Sequence, residues 1–72
     1  MSNSDEHLIR MANDIAANLS PGKSEQKAVE AIAGHIKKFW APPMRKNIIT
    51  LMQQKKTSLS DNAQRAIVLL SL

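Results

Sequence analysis

The sequence predicts an all-α fold, a small bundle of three to four short helices, on three observations. Apolar residues recur at helical spacing in every long segment. No segment alternates with period two, and no Asn-Gly or Asp-Gly hairpin signal occurs. Proline, glycine and serine fall between the periodic segments, where they stop one helix and cap the next. With 72 residues and no internal repeat, the chain reads as one domain over residues 1–72, the first four residues flexible.

The first helix lies in "SDEHLIRMANDIAANLS". Leu8, Met11, Ala12, Ile15, Ala16 and Leu19 share one face, Ser4 can cap the first turn, and Asp5 and Glu6 suit the positive end of its dipole. "SPG" at Ser20 to Gly22 stops it. A second helix begins after a Ser24 cap and carries Val29, Ile32, Ile36 and Phe39 on its stripe, flanked by Ala28 and Ala33. Lys37 and Lys38 complement its last turn. Ala41 precedes proline and is biased away from the α region, so this helix should end near Trp40. A third begins at Pro42 or Pro43, since the first helical position tolerates a missing N–H. Its stripe is Met44, Ile48, Leu51 and Met52, with Ile49 beside it, and the polar "QQKKTS" leads into a loop. Ser60 then caps a short last helix with Ala63, Ala66, Ile67 and Leu70 on one face.

Bulk composition narrows the function classes. A chain this size buries only about 60% of its unfolded surface, so its core is thin and a partner is a natural support. With no cysteine, disulfides, iron–sulfur ligation and thiolate zinc are excluded. No apolar run approaches the ~18 residues of a membrane span, and "MSNSDEHL" is unlike a signal peptide, so a soluble cytoplasmic protein is expected. The net charge of +4 favours acidic partners without identifying nucleic acid. His7 and His35 lie far apart, and the carboxylates (Asp5, Glu6, Asp14, Glu25, Glu30, Asp61) are scattered. There is no glycine-rich phosphate loop, no H-E-x-x-H pair and no cysteine nucleophile. No catalytic, cofactor-binding or metal-binding residue is expected, and the chain is not read as an enzyme.

The stretch "HIKKFWAPPMRKNI" holds both aromatic residues of the chain, Phe39 and Trp40. Phe39 falls on the apolar stripe and is expected in the core. Trp40 lies roughly 100° round the helix from it; it either folds over the helix junction or stands partly exposed as an interface anchor. Pro42 and Pro43 fix the path between two helices. Lys37, Lys38, Arg45 and Lys46 read most simply as dipole complements and solvated surface. As an alternative, Arg45, Asn47, Gln53 and Gln54 could belong to a small basic helical nucleic-acid-binding module, although a proline junction matches the usual helix-turn-helix turn poorly.

Two segments in register carry a resemblance. "LIRMANDIA" and "HIKKFWAPPMR" resemble the delta subunit of cytoplasmic, NAD-dependent, molybdenum-containing formate dehydrogenases. That family pairs Met-Ala-Asn-x-Ile-Ala with a later His-[hydrophobic]-x-x-Phe-Trp-x-Pro-x-Met-Arg. Here these are Met11, Ala12, Asn13, Ile15 and Ala16, then His35, Ile36, Phe39, Trp40, Pro42, Met44 and Arg45. Two positions depart from the pattern: Ala41 stands where the family usually has Asp, and Pro43 where it has Arg. The first change should forfeit about 1 kcal/mol of helix capping. The resemblance implies a non-catalytic accessory subunit that supports assembly or stability of the complex. It implies other formate dehydrogenase subunits as partners, foremost the large molybdenum-containing one, and no role for a membrane. Molybdenum cofactor, iron–sulfur clusters and FMN belong to those other subunits, with none in this chain. The residues expected to bind the partner are Trp40, Pro42, Met44 and Arg45, with Phe39 as the structural core residue beside them.

Overall fold

The structure, a computed structural model, describes residues 3–54 and 58–72. Four helices make it: α1 (Asn3–Leu19), α2 (Glu25–Phe39), α3 (Pro42–Gln53) and α4 (Asp61–Ser71). No strand occurs among the described residues, so the all-α bundle stands. Each helix follows from its local chemistry, with differences at three places.

Helix α1 begins at Asn3, one residue before the expected Ser4 cap, and holds Asp5 and Glu6 in its first turn. Of the four residues expected to be flexible, Met1 and Ser2 lie outside the described residues, while Asn3 and Ser4 already belong to α1. Its C-terminus is closed by local bonds: the Ser20 amide donates to the Ala16 carbonyl at 3.1 Å and the Lys23 amide to the Ser20 carbonyl at 3.2 Å. Gly22 takes φ +77°, a left-handed conformation that costs other L-residues about 1–2 kcal/mol. Ser24 then caps α2, its hydroxyl accepting from the Lys27 amide at 3.2 Å.

The second difference concerns the buried row of α2. Ala28, Ile32 and Ile36 are buried at four-residue steps, and the next step is Trp40, which is 5% exposed. Phe39, expected in the core, is 65% exposed. A row of i+4 steps is inclined to the helix axis, because four residues overshoot one turn. The buried face of α2 therefore walks round the helix toward Trp40 and leaves the azimuth of Phe39 uncovered. Trp40 itself has left helical geometry in ψ, at 141°, yet its amide still donates to the Ile36 carbonyl at 2.9 Å. That bond keeps its Cα on the helical path and aims the indole along the same row.

Helix α3 starts on Pro42, as expected, after an Ala41 N-cap with no side-chain bond. Ile48 is its fully buried residue, with Met44, Ile49, Leu51 and Met52 packed against the core. It ends at Gln53, and Lys55–Thr57 of the expected polar loop lie outside the described residues. Ser60 caps α4, its hydroxyl accepting from the Ala63 amide at 3.4 Å. Just before it comes the third difference, Leu59, buried at 6% though it belongs to no periodic segment. The Asn13 side chain holds this loop onto α1: it donates to the Ser58 carbonyl at 3.0 Å and accepts from the Ser60 amide at 2.8 Å.

The core is built from Ile32, Ile36, Ile48 and Ile67, all fully buried, set among small Ala12, Ala16, Ala63 and Ala66. Alanine at these crossings lets the helix axes approach while the isoleucines fill the space between them. Helix α2 packs on both α1 and α4, most extensively on α4, and α3 packs on α1 and α4.

Candidate docking surface at the helix junction

Between α2 and α3 only Trp40 and Ala41 intervene, both with extended ψ, at 141° and 149°. Two prolines then fix φ in the first turn of α3 at a place where their missing N–H groups cost nothing. This stiff corner brings Arg45 back under the end of α2. One guanidinium nitrogen, Nη1, donates to the Lys37 carbonyl at 3.0 Å and to the Trp40 carbonyl at 3.1 Å. The Lys37 carbonyl lies in the last turn of α2 and the Trp40 carbonyl at its C-cap, where no intrahelical donor is left to serve them. Arg45 therefore caps α2 from the next helix, adding to the dipole complement from Lys37 and Lys38.

With Trp40 turned inward and Arg45 beneath the carbonyls, Phe39 is left outside. Its ring lies 4.7 Å from that of His35, tilted by 45°, and the Lys38 ammonium sits 5.4 Å from its centroid. A shallow groove opens beside it, with Met11 and Ile15 of α1 on one side and Met44 of α3 at the end. Trp40 contributes to its lining, and Asp14 and His35 are its titratable groups. Methionine side chains adapt their shape to what they meet, and an exposed aromatic is a common interface anchor. The groove offers apolar contact, with Lys38 beside Phe39 and Asp14 in its lining. It brings no nucleophile into reach of a base. Among the described residues no group of three or more histidine or carboxylate side chains is placed to hold a metal ion, and no helix is long and apolar enough to cross a membrane.

The residues expected to meet a partner are thus distributed unevenly. Met44 lines the groove, half-buried. Pro42 stands exposed at the first position of α3. Arg45 is half-buried on the carbonyls of α2, and Trp40 belongs to the core cluster. Of the alternatives open for Trp40, the structure takes burial. Phe39, His35, Met11 and Ile15 were not expected at this surface. The signal that could have found Phe39 is the four-residue ladder from Ala28 to Trp40, which competes with the ladder ending on Phe39.

The model of the NADH-dependent formate dehydrogenase delta subunit family, FdsD, matches residues 7–67 of the 72. The chain belongs to that family. No curated protein and no solved structure matches it. In this delta-subunit chain the two motif segments converge on the groove: Met11 and Ile15 come from the first, and His35, Phe39, Trp40 and Met44 from the second. The remaining motif residues serve the fold. Ala12, Ala16 and Ile36 are buried, Asn13 holds the loop before α4, and Arg45 caps α2.

Proposed function

We propose that this chain is a non-catalytic accessory subunit of a cytoplasmic, NAD-dependent, molybdenum-containing formate dehydrogenase, and that it docks on the other subunits through the groove beside Phe39. The observation that carries the reading is the exposure of Phe39, 65%, at the point where both motif segments meet. An aromatic ring left largely in water next to a methionine-lined groove, touching His35 and Lys38 of its own helix, is well placed to be covered. Trp40, Arg45 and Pro42 contribute by holding the groove's shape, and Met44 by lining it.

The charge pattern supports an acid-bearing protein partner. Between Glu30 and Asp61 the sequence contains no acid and six cations, Lys37, Lys38, Arg45, Lys46, Lys55 and Lys56. Among the described residues the one ion pair is Arg65 with Glu25, at 2.6 Å, elsewhere on α2 and α4. The large molybdenum-containing subunit is the partner the family reading favours, and the redox cofactors belong to the partner subunits. In this reading the chain supports assembly or stability of the complex without a chemical step of its own. The test is activity per molybdenum in complexes purified with and without this chain. The expected result is less intact complex with unchanged turnover per molybdenum in what remains. Fully assembled, cofactor-replete complex that is inactive without this chain would overturn the reading.

A further inference from the structure

Helix α2 has a second uncovered flank, on the far side of its buried row from Phe39. Glu30, Ala33, Gly34 and Lys37 follow one another at i, i+3, i+4 and i+7 and so lie on one face. They form one wall of a groove of about 500 Å³, whose opposite wall includes Leu69 and Leu72 of the α4 end. Both leucines are exposed, at 42% and 92%.

Gly34 has no explanation within the chain. Glycine inside a helix costs about 1 kcal/mol relative to alanine. A Cβ at position 34 would meet nothing within 4 Å, and the backbone there is ordinary α-helix. Neither conformation nor internal packing requires the missing side chain. The open space over Gly34 leaves room for close approach from outside the chain.

The charges on this wall indicate what approaches. Glu30 and Lys37 stand at equal sequence distances either side of the midpoint between Ala33 and Gly34. Neither is in an ion pair among the described residues. Turned end for end, the wall becomes its own complement: Glu30 faces Lys37 of a second copy, Lys37 faces its Glu30, and the exposed Gly34 lies next to the axis, above the buried Ala33. This is the self-matching pattern of an isologous interface about a two-fold axis, the commonest symmetry of soluble oligomers. A chain of 72 residues with a thin core also gains from such burial. We propose that this groove is a self-association surface, through which two copies pair with their α2 helices antiparallel and crossing at Gly34.

The proposal concerns the isolated chain; Phe39 lies on the other flank of α2, and Arg45 of the junction is shared, since it also lines this groove. Sedimentation of the full chain over a concentration series tests it. Wild-type protein and Phe39→Ala should both dimerise. Gly34→Leu should be monomeric with a melting temperature at or above that of wild-type monomer, because leucine suits a helix interior and the space is open. Glu30→Lys and Lys37→Glu should each weaken self-association about tenfold or more by facing like charges. Mixing these two variants in equal amounts should restore dimers, since each then meets its opposite. Wild-type protein that stays monomeric at every concentration would overturn the proposal. So would Gly34→Leu that dimerises like wild type, or a mixture that fails to recover. If monomeric wild-type protein binds delta-depleted formate dehydrogenase and Gly34→Leu does not, the groove belongs to another subunit and self-association is rejected.

Discussion

The two junctions that bound α2 are built on opposite principles. The one before it, Ser20 to Ser24, is closed mainly by local bonds: a left-handed Gly22, backbone bonds over three and four residues, and the Ser24 hydroxyl on the Lys27 amide, with one long-range bond from the Asn62 side chain to the Ser20 hydroxyl at 3.0 Å. Residues 21–24 of it are exposed, and nothing in the core depends on them. The junction after α2 has no capping side chain of its own. Ala41 offers none, and the Lys37 and Trp40 carbonyls wait for Arg45 of the next helix, while Trp40 closes the core. The first junction is a turn that local sequence dictates. The second is a tertiary device, and the surface it leaves outside, Phe39, is a consequence of what it draws in.

The contrast can be broken by substitution. Trp40→Ala should have the largest effect, about 3–5 kcal/mol, because it removes a buried indole from the core at the junction before α3. A domain this small holds only a few kcal/mol, so the variant should be largely unfolded by circular dichroism at room temperature. Arg45→Ala should cost about 1–2 kcal/mol through the loss of one charged donor shared by two carbonyls, with the value reduced by partial exposure. A chemical denaturation midpoint equal to wild type would show that the cap does not hold the junction. Ser24→Ala should cost about 1 kcal/mol, and Ala41→Asp should return about as much by supplying the cap that α3 lacks. If Ala41→Asp destabilises the fold instead, the extended backbone at that position is not the N-cap described here.

The difference between the junctions also explains what could be read in advance. All four helices, the caps at Ser24 and Ser60 and the proline start of α3 were legible, because each rests on residues within one or two turns of one another. The choice between Phe39 and Trp40 was not, because two ladders fit the same helix and only the packing of the other helices chooses between them. Leu59 sits in a polar stretch with no periodicity to flag it, and it is buried because Asn13 bonds either side of it from 45 and 47 residues away in sequence. Arg45 reads as one more surface cation until the proline corner shows which carbonyls it reaches. At the candidate site the same rule holds: the motif singles out Met44, whereas Met11 and Ile15 reach the groove only through the packing of α1.

The central claim, that the junction buries Trp40 in order to hold a docking surface centred on Phe39, is tested most directly by Phe39→Ala. The variant should melt within about 0.5 kcal/mol of wild type, as expected for an exposed residue. In the same preparation its binding to delta-depleted formate dehydrogenase should weaken by about 2 kcal/mol, a loss typical of an aromatic anchor. A Phe39→Ala protein that melts as early as Trp40→Ala while binding the complex with wild-type affinity would contradict the account.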